Sequence, residues 1–148
     1  MSDLTPHLSW AECLRGSGCS SPAELPLAIR ANIERMALKM FAPLRERFGA
    51  PLIVVSGYRS PAVNKAVGGA KASQHMQGLA LDLVPASKDA YDFNLLYGII
   101  DGLQKGGAIP KGGLGEYHTA SGAWRFVHVD ARGFLARWTS GRVDRLVA

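Results

Sequence analysis

An α+β domain with a mainly antiparallel β-sheet flanked by helices is the fold class this chain predicts. Two stretches repeat apolar residues at helical spacing, residues 29–48 and 91–103. Four short runs read as strands: 52–55, 79–83, 112–117 and 125–130. Their order along the chain, strands followed by helices and then more strands, implies the α+β class with a mainly antiparallel sheet. At 148 residues the chain is the size of one ordinary domain. We divide it into an N-terminal lead-in, residues 1–20, and a single domain over 21–148.

The lead-in reads as loosely structured, with Leu8, Trp10 and Leu14 spaced to dock one apolar edge. Ser21-Pro22-Ala23-Glu24 matches a capping box with proline at the first helical position. Ile29, Ile33, Met36, Ala37, Met40, Phe41, Leu44 and Phe48 then keep helical spacing, and Gly49 is placed to stop the helix. Pro26 is late for a first turn, which moves the expected start towards residue 25. Leu52-Ile53-Val54-Val55 is a buried strand by its β-branched content. A turn follows at Gly57–Pro61, then a short helix or turn at 61–67 and a loop to Ser73. Leu79, Leu81 and Leu83 alternate with Ala80 and Asp82 as a second strand. Tyr91, Leu95, Leu96, Ile99, Ile100 and Leu103 mark a helix over 87–105 that ends at Gly106-Gly107. Residues 112–117 and 125–130 complete the pattern as two paired strands joined across 118–124.

Composition narrows the function classes. Hydrophobic residues make up 47% and charged residues 20%, a globular rather than disordered balance. No apolar run approaches the ~18 residues a bilayer span needs, so no membrane insertion is expected. Met1-Ser2-Asp3-Leu4-Thr5-Pro6-His7 lacks the basic start and apolar stretch of a secretion signal. The formal charge is +5, much of it in the tail, where Arg132, Arg137, Arg142 and Arg145 face a single Asp144. That balance suits either a solvated surface or a polyanionic partner. Lys/Arg clusters with interleaved aromatics are absent, so nucleic acid is not expected. Cys13 and Cys19 sit in a Gly/Ser-rich segment without a second Cys or His pair nearby, and no metal role is expected of them.

Two segments carry chemistry. Ser73-Gln74-His75-Met76-Gln77-Gly78-Leu79-Ala80-Leu81-Asp82 places a histidine and an aspartate seven residues apart, with Gly78 and Ala80 small enough for the chain to fold back. Asp82 lies among apolar neighbours, and a buried carboxylate needs a cation or strong hydrogen bonds. Phe126-Val127-His128-Val129-Asp130 sets a second imidazole in an equally apolar strand. Two imidazoles and one carboxylate are the ligand set of a catalytic zinc ion, which keeps a fourth position open. The competing reading is a pair of structural histidines with their nitrogens satisfied. On a strand, residues two apart face the same way, so Asp130 points to the side of His128. It is expected either to activate water or to orient the site.

Ser73-x-His75-x-x-Gly78-x-Ala80-x-Asp82 with the later His128 resembles the zinc D-alanyl-D-alanine carboxypeptidase and murein endopeptidase family. That group shares its zinc-site architecture with lysostaphin-type peptidases and the hedgehog signalling domain. Ser56-Gly57-Tyr58-Arg59-Ser60-Pro61, Asn64, Val67-Gly68-Gly69, Gly112-Gly113-x-Gly115-x-Tyr117 and Phe126–Asp130 extend the likeness from about residue 24 to residue 133.

The resemblance implies a hedgehog/DD-peptidase-like fold over 21–148 and Zn2+ held by His75, Asp82 and His128. The metal would polarise a peptide carbonyl and acidify its bound water. Arg59 matches the family arginine that engages a substrate carbonyl or carboxylate and stabilises the oxyanion; a surface turn arginine is its bland alternative. Ser73 is expected to orient the loop or a ligand carboxylate, Gln74 to contact substrate, and Tyr58 to wall the site or pack in the core. One departure stands out. Many relatives carry an acid three residues before the last zinc histidine, or a histidine two before it; here those positions are Arg125 and Phe126. Asp130 is therefore the favoured catalytic carboxylate, with Glu116 and His118 as alternatives.

The resemblance further implies hydrolysis of an amide bond beside D-alanine in peptidoglycan stem peptides or cross-links, by a monomer. With no signal, the chain is expected to be cytoplasmic as synthesised. It would then act on the periplasmic wall, through phage-type release as a lytic enzyme or from a virion tail. The rival is a zinc-containing wall-binding or virion structural module without catalysis. A signalling-type domain with a vestigial site is a third reading.

Overall fold

The computed structural model describes residues 3–140. Glu24 does cap its turn, its Oε2 accepting from the backbone N of Ser20 and of Ser21 at 2.9 Å each, but that turn is a single 3-10 turn, Pro22–Glu24. Pro26 decides the outcome, because the residue before a proline is pushed out of the helical region. Leu25 is accordingly extended (φ −83°, ψ 145°), and the helix begins afresh at Leu27 behind Pro26.

That helix runs as α2 (Leu27–Met36), one π turn (Ala37–Phe41) and α3 (Ala42–Phe48). Pro43 explains the wider turn. It has no N–H to give the carbonyl four residues back, and the ladder shifts so that Ala42 N donates to Ala37 O, five residues back. The buried face, Ile33, Met36, Ala37, Met40, Phe41 and Leu44, is the one the spacing marked.

The lead-in is more ordered than its composition suggests. β1 (Asp3–Thr5) and β2 (Leu8–Ser9) pair as an antiparallel hairpin leading into α1 (Trp10–Leu14). Ser9 and Glu12 form a reciprocal capping box, Ser9 Oγ accepting from Glu12 N at 3.1 Å and Glu12 Oε1 from Ser9 N at 3.0 Å. Leu8, Trp10 and Leu14 are buried as expected, and so is Cys13, whose thiol burial pushes up to about 12. Cys13 and Cys19 are free thiols. The carbonyl of Cys13 accepts from Tyr58 N at 2.9 Å, so this segment supports the turn that carries Arg59.

The main sheet has five strands: β3 (Leu52–Ser56), β4 (Ala80–Pro85), β5 (Gly113–His118), β6 (Trp124–Asp130) and β7 (Ala136–Ser140), in the order β3-β4-β6-β5-β7. The first three pairings are antiparallel, as expected. β7 was not foreseen, and it lies parallel to β5 at the edge. Between β3 and β4 come α4 (Pro61–Ala66) and a 3-10 turn (Gln74–Gln77); α5 (Ala90–Gly106) joins β4 to β5.

One face of the sheet is apolar. Leu81, Leu83, Leu114, Val127 and Val129 are fully buried and share one core with Ile33, Met40, Leu44, Leu96 and Ile100 from the helices. Full burial of each such side chain contributes about 1.5–3 kcal/mol. The other face carries polar groups, because Asp82 pairs with His128, Ala80 with Asp130, and Gly115 with His128. Directly opposed residues share a face. Of the tail arginines, Arg132 and Arg137 are not free solvated charges: they pair with Asp130 and Asp101 at 2.7 and 2.9 Å. Arg142, Asp144 and Arg145 lie outside the described residues. Among the described residues no helix is long and apolar enough to cross a membrane.

Candidate metal centre

Local structure delivers His75 to the sheet. Ser73 Oγ accepts from His75 N at 3.2 Å and starts the 3-10 turn. Gly78 ends it in the left-handed region, φ +72°, where a Cβ would stand 2.7 Å from Ile33 Cγ1; both facts require glycine. The chain then reverses into β4, which sets the His75 ring over Asp82.

His75 Nε2 lies 3.1 Å from Asp82 Oδ1, and His128 Nδ1 lies 3.0 Å from the same oxygen. The imidazoles meet edge to face with centroids 5.2 Å apart. One ligand atom from each of the three residues falls within 4.8 Å of the others, and all three side chains are buried.

The outer nitrogens fix the tautomers. His75 Nδ1 is 2.7 Å from the carbonyl of Gly57, which can only accept, so the proton sits on Nδ1 and Nε2 offers a lone pair. His128 Nε2 is 2.7 Å from Asp130 Oδ2, which likewise turns Nδ1 inward. Imidazoles that ligate metals hold their second nitrogen in this manner, against a carbonyl or a carboxylate. A neutral Nε2 facing a carboxylate oxygen at 3.1 Å is two acceptors in contact, which a cation between them would reconcile. Asp82 Oδ2 is buried with no hydrogen-bond partner among the described residues. The donor set, two imidazole nitrogens and a carboxylate oxygen, all buried, fits zinc.

Electrostatics agree. Burial alone would raise the Asp82 carboxyl, yet His75 and His128 outweigh it and hold the group well below the usual carboxylate range. Burial lowers His75 and outweighs the pull of Asp82. His128 goes the other way: burial opposes its charge, but the hydrogen bonds its ring donates to Asp130 and Asp82 together raise it. We attribute the difference to partners, since His128 has two carboxylates and His75 shares one.

Asp130 is saturated. Its Oδ1 accepts from Gly113 N (2.8 Å), Arg132 N (3.0 Å) and Arg132 Nε (3.0 Å), and Oδ2 from Arg132 Nη2 (2.7 Å) and His128 Nε2. It stands on the outer side of the His128 ring. Trp138, brought in by β7, lies 5.1 Å from His128 centroid to centroid and donates Nε1–H to Tyr117 Oη at 2.9 Å. Arg132 stacks over the same indole at 5.0 Å.

The remaining sequence candidates fall into two groups. Arg59 is not a surface arginine; it is 5% exposed, its Nη1 donates to Asn64 Oδ1 at 3.2 Å, and its Nη2 is 4.0 Å from Asp82 Oδ2. Its Nε is buried without a partner among the described residues, and burial lowers its pKa against the pull of Asp82. Ser73 is buried and caps the turn through His75 N, and Gln74 opens the turn that carries His75. Tyr58 belongs to the core, where burial raises its hydroxyl. Glu116 pairs with Val127 and so occupies the sheet face away from His128, its carboxylate 3.2 Å from His118 and accepting from Thr139. His118 leans on Trp124, 4.3 Å between centroids. Neither joins the cluster. Arg132 and Trp138 are the contributors that sequence reasoning did not place at the site; alternating Arg137-Trp138-Thr139 was too short a signal.

A family model described as Peptidase M15 matches residues 7–106, about two thirds of the chain, and includes Arg59, His75 and Asp82. His128 lies beyond the matched stretch. No curated protein matches the chain.

Proposed function

The chain belongs to the peptidase M15 family, and on that footing we propose that it is a zinc peptidase hydrolysing an amide bond beside D-alanine in peptidoglycan stem peptides or their cross-links. One observation carries this reading: two imidazole nitrogens and a carboxylate converge while each ring's second nitrogen is held by an acceptor. The sheet, with its site on one face and its core on the other, is compatible with the hedgehog/DD-peptidase fold.

His75 Nε2, Asp82 and His128 Nδ1 would hold the ion. When bound, zinc supplies Lewis acidity towards a carbonyl and lowers the pKa of water towards ~7. The chain's own groups do the rest. Gly57 and Asp130 fix the two rings. Arg132 neutralises Asp130 and holds it in place. Both oxygens of Asp130 are engaged, which favours the orienting role over water activation. Arg59, anchored by Asn64, aims buried N–H groups at the centre, suited to a carbonyl oxygen or a terminal carboxylate. Trp138 and Tyr117 close the side of His128 and exclude water there.

Digestion of purified sacculi followed by mass spectrometry tests the proposal. Release of D-alanine identifies a carboxypeptidase, and loss of cross-linked stems an endopeptidase. Either activity should vanish on chelation and return with zinc. No cleavage with zinc bound would overturn it in favour of the second reading, a wall-binding or virion module without catalysis. That reading draws on Arg125 and Phe126 standing where relatives have an acid or a histidine, and on Glu116 facing the other side of the sheet. Access to the wall would come through release across the membrane at lysis or delivery from a virion.

A further inference from the structure

Beside the metal centre a cavity of about 580 Å3 opens between α4 and the 3-10 turn that bears His75. Pro61, Asn64, Lys65, Lys71, Met76 and Gln77 line it. Its charged lining groups are both ammonium ions, and no carboxylate lines it. Lys65 and Lys71 are exposed and make no ion pair among the described residues. The guanidinium groups near the site already have protein partners, Arg59 in Asn64 and Asp82, Arg132 in Asp130.

The cavity is joined to the centre by one shared wall. Asn64 faces the cavity, its Oδ1 accepts from Arg59 Nη1, and its Nδ2 donates to Ala70 O at 2.9 Å. Gly69 packs against the same pair so tightly that a Cβ there would lie 2.1 Å from Asn64 Oδ1 and 2.8 Å from Arg59 Nη1. The loop bearing Lys71 is thus tied to the arginine of the site. Lys65 follows Asn64 in α4 and Lys71 follows Ala70, whose carbonyl Asn64 holds, so both ammonium-bearing residues flank the segment that anchors Arg59.

We infer that this basic cleft is a second recognition subsite that takes a free carboxylate on a residue neighbouring the scissile bond of an acidic peptide. The inference rests on the peptidase reading and adds a substrate preference to it. Met76 offers an adaptable apolar wall for the stem of such a side chain, and Lys65 and Lys71 offer the counter-charge. An amidated version of the same residue would lose the charge attraction and keep the apolar contact.

The test compares two stem-type peptides, one with a free side-chain carboxylate and one with that group amidated. Each is prepared in cleavable form and with the scissile amide reduced to an amine. Calorimetry on the zinc-loaded full chain should show the reduced acidic peptide binding about five- to tenfold tighter than its amidated twin. Raising salt from about 0.05 M to about 0.5 M should shrink the gap. Lys65→Met/Lys71→Met should bind both alike with zinc content unchanged, and Lys65→Glu/Lys71→Glu should invert the preference. Equal binding by the wild-type chain, or a preference that survives both double variants, would overturn the subsite. Cleavage of both cleavable peptides at equal kcat/KM would overturn the subsite and leave the peptidase reading standing. Acid-selective binding without cleavage of either would overturn the peptidase reading and leave the subsite standing.

Discussion

His128 donates its Nε2 proton to Asp130 Oδ2 across 2.7 Å, and this bond decides which nitrogen of the ring faces Asp82. Asp130 is itself clamped by Arg132 and Gly113, so the orientation of one metal-facing ring is set by residues two and four positions along and by a neighbouring strand.

Asp130→Asn therefore probes metal affinity before it probes chemistry. An amide cannot take His128, Arg132 and Gly113 at once, and loss of such an outer partner costs about 10–100-fold in metal binding. Competition with a chromogenic chelator should show that loss in a folded protein. Unchanged affinity with abolished cleavage would instead make Asp130 the water-activating carboxylate.

Metal affinity should fall with acid. His128 is raised by its two carboxylates, so below that raised value the metal-free protein carries a proton on Nδ1 that the ion must displace. Affinity should drop about tenfold per pH unit there and level off above it. His75, kept neutral by burial, adds a further step only at lower pH. The same His128 proton stabilises the metal-free fold below its raised value, and that contribution is lost as pH rises through it. Chelator competition across the range checks the slope; a flat profile would contradict the assignment of Nδ1.

Gly115→Ala should loosen the wall of the site. A Cβ there would sit 2.5 Å from Trp138 Nε1 and 2.6 Å from Cε2, so the indole must leave His128 or β7 must shift. Overpacking of this kind costs about 1–3 kcal/mol. Urea unfolding followed by tryptophan fluorescence would register both the lost stability and the displaced ring. An unchanged midpoint would mean that β7 yields freely.

Some of this was legible in the sequence and some was not, for physical reasons. His75, Asp82 and His128 stood out because each interrupts an apolar strand or its approach, where a polar group needs a partner. Alternation correctly put Asp130 beside His128, but it could not say that Arg132 and Gly113 would occupy its oxygens. The face of Glu116 depended on the register that opposes Gly115 to His128, and register is not carried by either strand alone. β7 escaped because a short parallel edge strand has no hairpin or turn to announce it. The capping box at Ser21–Glu24 formed, yet Pro26 stopped it from starting the long helix. The hairpin in the lead-in is held by contacts with the core, which two- and three-residue strands do not reveal.

Zinc analysis of the purified chain together with its Asp82→Ala variant tests the central claim most directly. We predict one zinc ion per wild-type chain, bound through two nitrogens and one protein oxygen by X-ray absorption at the zinc edge, and almost none in the variant. A wild-type chain free of zinc after purification in its presence, or a variant that retains the full complement, would contradict the account.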